Sequence, residues 1–125
     1  MNEQIIRTPG QSAMLPGTVS AGGLVWTSGL VSPSALAAIA TGTEVPARQQ
    51  ISETLALLRS TLDEAGVPVD RVVRIDAYVS DADLVPMWNE LYVEVWPEPG
   101  PARITLVAGF VSPVIHFELM ATAVR

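Results

Sequence analysis

The chain has 125 residues, of which 49% are apolar and 16% are charged, and its formal net charge is −6. This length fits one domain over residues 1–125, and this composition excludes an intrinsically disordered chain. Cysteine is absent and all seven basic residues are arginine, which excludes disulfides, a thiolate nucleophile, a cysteine-built zinc site and a lysine Schiff base. The acidic balance argues against nucleic acid as the main partner.

The N-terminal residues Met1–Gln4 carry no basic group, and no long apolar run follows them. We therefore expect neither a signal peptide nor a membrane-spanning helix. The sequence predicts a soluble, cytoplasmic protein with no membrane partner.

The first third of the chain contains few regular elements. Residues 1–23 are predicted to be irregular, and residues 24–28 are predicted to form a strand that Gly29 closes. Residues 32–43 are rich in small side chains, so they form either a flexible loop or a weak helical turn around residues 35–40.

Two helices are predicted from apolar periodicity and stop signals. The clearer one covers residues 48–65 and ends at Gly66, with an apolar stripe formed by Ile51, Leu55, Leu58 and Leu62. The other begins after a cap at Asp81 or Asp83 and ends at the proline-rich residues 97–101.

Three more strands are predicted, over residues 72–80, 102–107 and 114–124. Strands outnumber helices, so the simplest architecture is an α+β sheet with two helices on one face. On the last strand, one side would seat the helices with Ile115, Phe117, Leu119, Ala121 and Ala123. The opposite side would hold Val107, Val114, Met120 and Val124, which is too apolar for water alone. We expect a partner subunit to cover that face and to place Arg103 and Glu118 at the boundary.

Several short segments together resemble one family. Residues 101–105, Pro-Ala-Arg-Ile-Thr, and residues 116–121, His-Phe-Glu-Leu-Met-Ala, look like the C-terminal signature of the YjgF/Rid family of reactive-intermediate (imine and enamine) deaminases. Other pieces agree in order and spacing: Trp26–Gly29, Thr43–Pro46, Leu62–Gly66, Val79–Asp81 and Asn89–Tyr92. The resemblance spans about residues 18–125.

The resemblance implies a chorismate-mutase-like (ferredoxin-like) mixed sheet and a homotrimer whose sheets line a central barrel, with clefts between subunits. It implies hydrolysis of 2-imino or enamine acids to 2-keto acids and ammonia, without a cofactor or a metal. Arg103 would then clamp the substrate carboxylate, since a planar guanidinium matches it with two hydrogen bonds. Glu118 would orient or deprotonate the attacking water. Thr105, Ser28 and Gly29 would hold the imine end.

Other interpretations stay open at this stage. Arg103 and Glu118 could simply pair with each other, across neighbouring strands or across a subunit boundary. His116 could tune Glu118 or be structural. The whole protein could be a trimer that binds small molecules or proteins without turnover, a specialised member with another substrate, or a ribonuclease. Residues 15–20 contain no aromatic side chain, where deaminating members usually carry one to close the cleft, and the loop after Gly29 looks longer.

Overall fold

The structure is a computed structural model that describes residues 4–125. The strands are β1 (Ile6–Arg7), β2 (Thr18–Ala21), β3 (Leu24–Thr27), β4 (Leu30–Val31), β5 (Val72–Val79), β6 (Ala102–Val107) and β7 (Phe117–Val124). The helices are α1 (Pro33–Ala38), α2 (Ala47–Glu64) and α3 (Val85–Val95), and short 3-10 turns cover Val69–Arg71 and Ala82–Leu84.

The strands form one mixed sheet. Its order is β1-β2-β3-β7-β5-β6, and β4 pairs with β7 beyond the end of β3. The β5–β6 pair is parallel, because α3 carries the chain back between them, and the other pairs are antiparallel. The predicted mixed α+β sheet is therefore confirmed.

The core lies between this sheet and the two long helices. The predicted apolar stripe of α2 is buried, and it packs with β7 side chains such as Phe117 and Leu119. Gly66, with a φ of 74°, ends α2, and the amide of Val67 donates back to the carbonyl of Leu62. The stop signal in the sequence was thus correct. Across residues 4–125, every helix is too short or too polar to cross a bilayer.

The predicted irregularity of residues 1–23 is wrong for two segments, β1 and β2. The turn between β2 and β3 is Gly22-Gly23, whose φ angles of 58° and 81° match a tight hairpin turn. The Gly-Gly pair was the available signal. Residues 1–3 of the prediction lie outside the described residues.

Several boundaries differ from those predicted. Residues 33–38 form a helix, because the Ser32 hydroxyl accepts a hydrogen bond from the Ala35 amide at its start. The Asp81 carboxylate caps the 3-10 turn instead of α3, so α3 begins at Val85. The strands β3 and β5 each end one residue earlier than predicted, and α2 starts and ends one residue earlier.

The prediction for the last strand needs correction, and so does that for the face of the sheet that points away from the helices, which we call the open face. β7 begins at Phe117, because Val114 and Ile115 leave the sheet and are buried against Val31 and Ala35. Val114 therefore does not lie on the open face of the sheet.

Strand β6 was assigned to the wrong faces. Its register with β5 pairs Ile75 with Arg103 and Ala77 with Thr105, so Arg103, Thr105 and Val107 lie on the helix side. Ile104 and Leu106 lie on the open face instead, and they are 43% and 48% exposed. The open face is still rich in apolar groups, although different ones.

Candidate functional site

Arg103 projects from the edge strand β6 toward α3. Its Nη2 donates to Oδ1 of Asn89 at 2.6 Å. Its guanidinium carbon lies 4.6 Å from the ring centroid of Tyr92 and 5.8 Å from that of Trp88. Asn89, Tyr92 and Trp88 are neighbours on one helix surface. The amide and the two aromatic rings therefore hold the guanidinium in one place while it stays exposed.

Arg103 has no acidic partner among the side chains of residues 4–125. The ion pairs there are Arg48–Glu90, Arg74–Asp76 and His116–Glu44. The alternative in which Arg103 pairs with Glu118 therefore does not hold within one chain. Several of its N–H groups are available to an anion.

Thr105 lies beside Arg103 on the same side of β6. Its Oγ1 accepts a hydrogen bond of 3.1 Å from Nε1 of Trp88, whose ring is fully buried. The predicted site residues Arg103 and Thr105 are thus brought together by α3. Burial raises the pKa of Tyr92 in this group, against the opposing charge of Arg103.

Glu118 lies on the open face of the sheet, in the middle of the molecule. Its neighbours in register are Tyr78 on β5 and Val31 on β4. A side-chain methyl group at Gly29 would overlap its carboxylate, so only glycine leaves room for the carboxylate there. Among the described residues it has no hydrogen-bond or ion-pair partner, and burial raises its pKa above the usual range. Gly29 and Glu118, two of the predicted site residues, are therefore in contact.

Ser28 is used inside the chain. Its hydroxyl donates to the carbonyl of Pro16 at 2.6 Å, and its amide donates to the carbonyl of Gly17 at 3.3 Å. Ser28 and Gly29 line a cavity of about 260 Å³ under the N-terminal segment. The Ser28 hydroxyl proton is committed to the loop, so only its oxygen lone pairs are available to a ligand.

The predicted site therefore falls into two groups within one chain. We name Arg103, Thr105 and Asn89 the arginine half-site, and Glu118 and Gly29 the glutamate half-site. The arginine half-site lies on the helix side of β6, and the glutamate half-site lies on the open face of β7, with β5 between the two strands. Strands β6 and β7 are two strand spacings, about 10 Å, apart. Arg103 is level with Ile75 of β5 and Glu118 is level with Tyr78, so the two residues are also separated by three residues along the strand. Arg103 and Glu118 do not meet in one protomer.

His116 does not act on Glu118. It precedes β7, and its ring nitrogens face Ser80 and Glu44. The idea that it tunes Glu118 is therefore wrong. In the part of the chain that the structure describes, no cluster of three or more metal-binding side chains is found.

Comparison with known proteins identifies the family. The family described as "Endoribonuclease L-PSP" matches residues 7–125. The mitochondrial protein mmf2 of Schizosaccharomyces pombe is 34% identical over 93 residues, which cover 73% of this chain and 69% of mmf2. The mitochondrial protein mmf1 of the same yeast is 32% identical over 85 residues, covering 68% of this chain and 50% of mmf1. Because these relatives are mitochondrial, the cytoplasmic location stays a prediction.

Solved structures agree on the fold. Rv2704 of Mycobacterium tuberculosis, a member of the YjgF family, has a TM-score of 0.82 and 18% identity, covering 98% of this chain and all 100% of that one. NMB1025 of Neisseria meningitidis, also of the YjgF family, has a TM-score of 0.82 and 23% identity, covering 98% and 95%. The chain belongs to the YjgF family, whose matching sequence family is described as endoribonuclease L-PSP.

Proposed function

We propose that this protein hydrolyses 2-imino and enamine acids to 2-keto acids and ammonia, without a cofactor, in a cleft between two copies of the chain. The observation that carries the proposal is the separation of two complementary half-sites. Among residues 4–125, Arg103 has no acidic partner at the edge of the sheet, and the Glu118 carboxylate has no hydrogen bond on the open face. The arginine half-site could bind the substrate carboxylate, and the glutamate half-site of a second copy could activate the water that attacks the imine.

The arginine half-site is suited to a carboxylate. Asn89 accepts a hydrogen bond from one N–H of Arg103, and the Tyr92 ring lies against the guanidinium group. These two contacts restrict the rotation of the guanidinium. The remaining N–H groups form a fork that matches the two oxygens of a carboxylate. A substrate carboxylate bound there would present its imine carbon beyond the edge of β6.

The glutamate half-site is suited to activating water. Loss of solvent raises the pKa of Glu118, which makes its ionised form a stronger base than a free carboxylate. Glu118 would take a proton from water as the water oxygen bonds to the imine carbon and the C=N electron pair moves to nitrogen. Return of the proton to nitrogen gives a carbinolamine. Glu118 then moves the proton of its hydroxyl group to nitrogen as the C–N bond breaks, which releases ammonia and leaves the keto acid. An enamine substrate reaches the same path after it tautomerises to the imine.

A homotrimer with the open faces turned inward fits the surface. Ile104, Leu106 and Met120 are all more than a third exposed on the open face, and Trp26 lies on the same face. The Arg74–Asp76 ion pair of β5 lies between Ile104 and Met120 on this face, so the apolar groups flank a charged pair. Exposed apolar groups gathered on one sheet face are typical of a covered interface. Association there would bring the glutamate half-site of one copy to the β6 edge of the next.

The decisive experiment is subunit complementation. Arg103→Ala and Glu118→Gln proteins are purified, unfolded together, refolded as a mixture, and tested for keto-acid and ammonia release from imines made in situ by an amino-acid oxidase. If each cleft takes Arg103 from one copy and Glu118 from another, about a quarter of the clefts in a random mixture are intact. Each variant refolded alone is the control and should keep about 1% or less of the wild-type rate.

A mixture as inactive as its parents would contradict the shared cleft. No acceleration by the wild-type protein would contradict the deaminase and favour a trimer that binds keto acids without turnover. The feature that favours this alternative, binding without turnover, is the absence of an aromatic side chain from residues 15–20.

RNA cleavage, which the family description names, has less support. The net charge is −6, and Arg48 and Arg74 are already paired with carboxylates. Phosphate binding needs unpaired positive groups in a row.

A further inference from the structure

A second group of reactive side chains lies at the end of β5, just beyond the point where Tyr78 pairs with Glu118 of β7. Ser80, His116 and Glu44 line one open cleft of about 590 Å³. Oγ of Ser80 lies 2.8 Å from Nδ1 of His116, and Nε2 of His116 lies 3.1 Å from Oε1 of Glu44. The proposed deamination uses none of these three residues.

The hydrogen-bond chain has only one consistent direction when the imidazole is neutral and Glu44 is ionised. A carboxylate only accepts hydrogen bonds, so the ring hydrogen must lie on Nε2 of His116. Nδ1 then carries a lone pair, and the Ser80 hydroxyl must donate to it. This is the arrangement in which a histidine can remove the proton of a serine nucleophile.

The backbone holds the serine and the histidine in register. The amide of Ser80 donates to the carbonyl of His116 at 3.0 Å, and the amide of His116 donates to Oε1 of Gln50 at 2.9 Å. Gln50 is fully buried and is itself tied to the carbonyls of Val45 and Val114. The Ser80–His116 contact is therefore preorganised by a rigid support instead of depending on two free side chains.

We propose that Ser80, His116 and Glu44 form a second hydrolytic site, which cleaves small esters. Asp81 and Asp83 also line the cleft, so it repels anions and selects neutral or cationic esters. Its apolar wall, which can take a short acyl group, consists of Val45, Pro46, Ala47 and Leu84.

The reaction balances without a co-reactant other than water. Oγ of Ser80 bonds to the ester carbonyl carbon while its proton passes to Nδ1 of His116, and Glu44 stabilises the imidazolium. The C–O bond to the alcohol breaks, and the alcohol leaves with that proton. Water then attacks the acyl-serine by the same route, which releases the carboxylic acid and restores Ser80.

The test uses a fluorophosphonate probe and p-nitrophenyl acetate on the full-length protein. We expect the probe to modify Ser80 alone, as located by peptide mass spectrometry. Ser80→Ala should reduce ester hydrolysis at least about 100-fold, the usual contribution of a positioned base and its nucleophile. Ser34→Ala is the matched control, because the Ser34 hydroxyl donates to a carboxylate of Glu53 without a histidine, and it should leave the rate unchanged.

Two outcomes would overturn the proposal, and a third would overturn its stated specificity. The first is wild-type protein without a label on Ser80, a result that does not depend on whether any variant folds. The second is equal ester hydrolysis by wild type and Ser80→Ala. The third, which removes the stated specificity, is hydrolysis of the anionic ester p-nitrophenyl hemisuccinate at the same rate as the neutral ester p-nitrophenyl acetate. None of them bears on imine hydrolysis, which is measured separately.

Discussion

The two half-sites obtain their chemical properties in opposite ways. Arg103 is exposed and is fixed by three neighbours on α3, so its contacts determine its position. Glu118 is half-buried and has no hydrogen-bond partner among the described residues, so desolvation determines its basicity. An exposed guanidinium at the edge of a sheet stays charged, but its position must be fixed by neighbouring side chains. A carboxylate on a sheet face is positioned by the backbone, and desolvation raises its pKa. This difference predicts how each group responds to substitution.

The largest effect is expected at Arg103. Arg103→Ala removes the carboxylate clamp, and kcat/KM for imine hydrolysis should fall about 1,000-fold, as two charge-assisted hydrogen bonds are lost. Arg103→Lys should recover only part of this loss, because an ammonium cannot match both oxygens. Steady-state kinetics check both, and size-exclusion chromatography controls for assembly. Retention of most activity by Arg103→Ala would remove the clamp from the proposal.

Glu118→Gln should separate activity from stability. We expect kcat to fall about 100-fold or more, because the water loses its base. The melting temperature at pH 7 should rise, because the ionised carboxylate is destabilised by burial and the amide is neutral. Calorimetry beside the kinetic assay checks both. A variant that loses rate and stability together would mean that Glu118 is structural.

The pH dependence follows from the raised pKa of Glu118. Its folded-state pKa lies above the unfolded value, so the carboxyl group adds least to stability when it is ionised in both states. At low pH, Glu118→Gln should therefore be no more stable than the wild type. Its excess stability should appear as the pH rises from the unfolded-state pKa of Glu118 through the higher folded-state pKa. The acid limb of wild-type kcat should lie above 4.5, the ordinary pKa of the group. A limb at or below that value would show that Glu118 is not the base.

Gly29→Ala tests the contact inside the glutamate half-site. The added methyl group would overlap the Glu118 carboxylate and displace it, so the rate should fall about 10- to 100-fold. Gly109→Ala is the matched control, because a methyl group at Gly109 meets nothing within 4 Å. Equal kinetics for the two variants would contradict the role of the Gly29 contact.

Asn89→Ala tests the positioning of Arg103. KM should rise about 10-fold with little change in kcat, because the clamp is loosened but the base is untouched. Glu90→Gln, which removes only an exposed ion pair with Arg48, should leave KM unchanged. A fall in kcat alone would assign Asn89 a different task.

The smallest effect is expected at Glu53, which differs from Glu118 in having polar partners. Glu53 accepts hydrogen bonds from Gln49, Ser34 and Ser32, and these lower its pKa to about 2. A lowered folded-state pKa stabilises the protein above the unfolded value of 4.5, and this stabilisation is lost as pH falls from there toward 2. Glu53→Gln should therefore lower the melting temperature by a few degrees at neutral pH, with no effect on imine hydrolysis. Melting temperatures at pH 7 and pH 2 check this, and an equal difference at both would contradict it.

Local signals predicted the helices better than the sheet. The stripe of α2 and the stop at Gly66 involve neighbours in sequence, and both were correct. The β2–β3 hairpin was missed, although its Gly-Gly turn was visible, because β2 has only four residues, of which only one, Val19, is a strongly apolar strand former. The departure of Val114 from the sheet had no local signal, since it depends on packing against Val31.

The sequence alone determined the fold class, the family and the identity of Arg103, Thr105, Gly29 and Glu118 as site residues to be tested. Only the tertiary structure decided which of them meet. β6 is an edge strand that is largely exposed on both faces, so its side chains carry no alternation that indicates a face. Its register with β5 sets the face instead, and a shift of one residue would reverse it. That long-range pairing separates Arg103 from Glu118 and is the reason that one chain holds two half-sites.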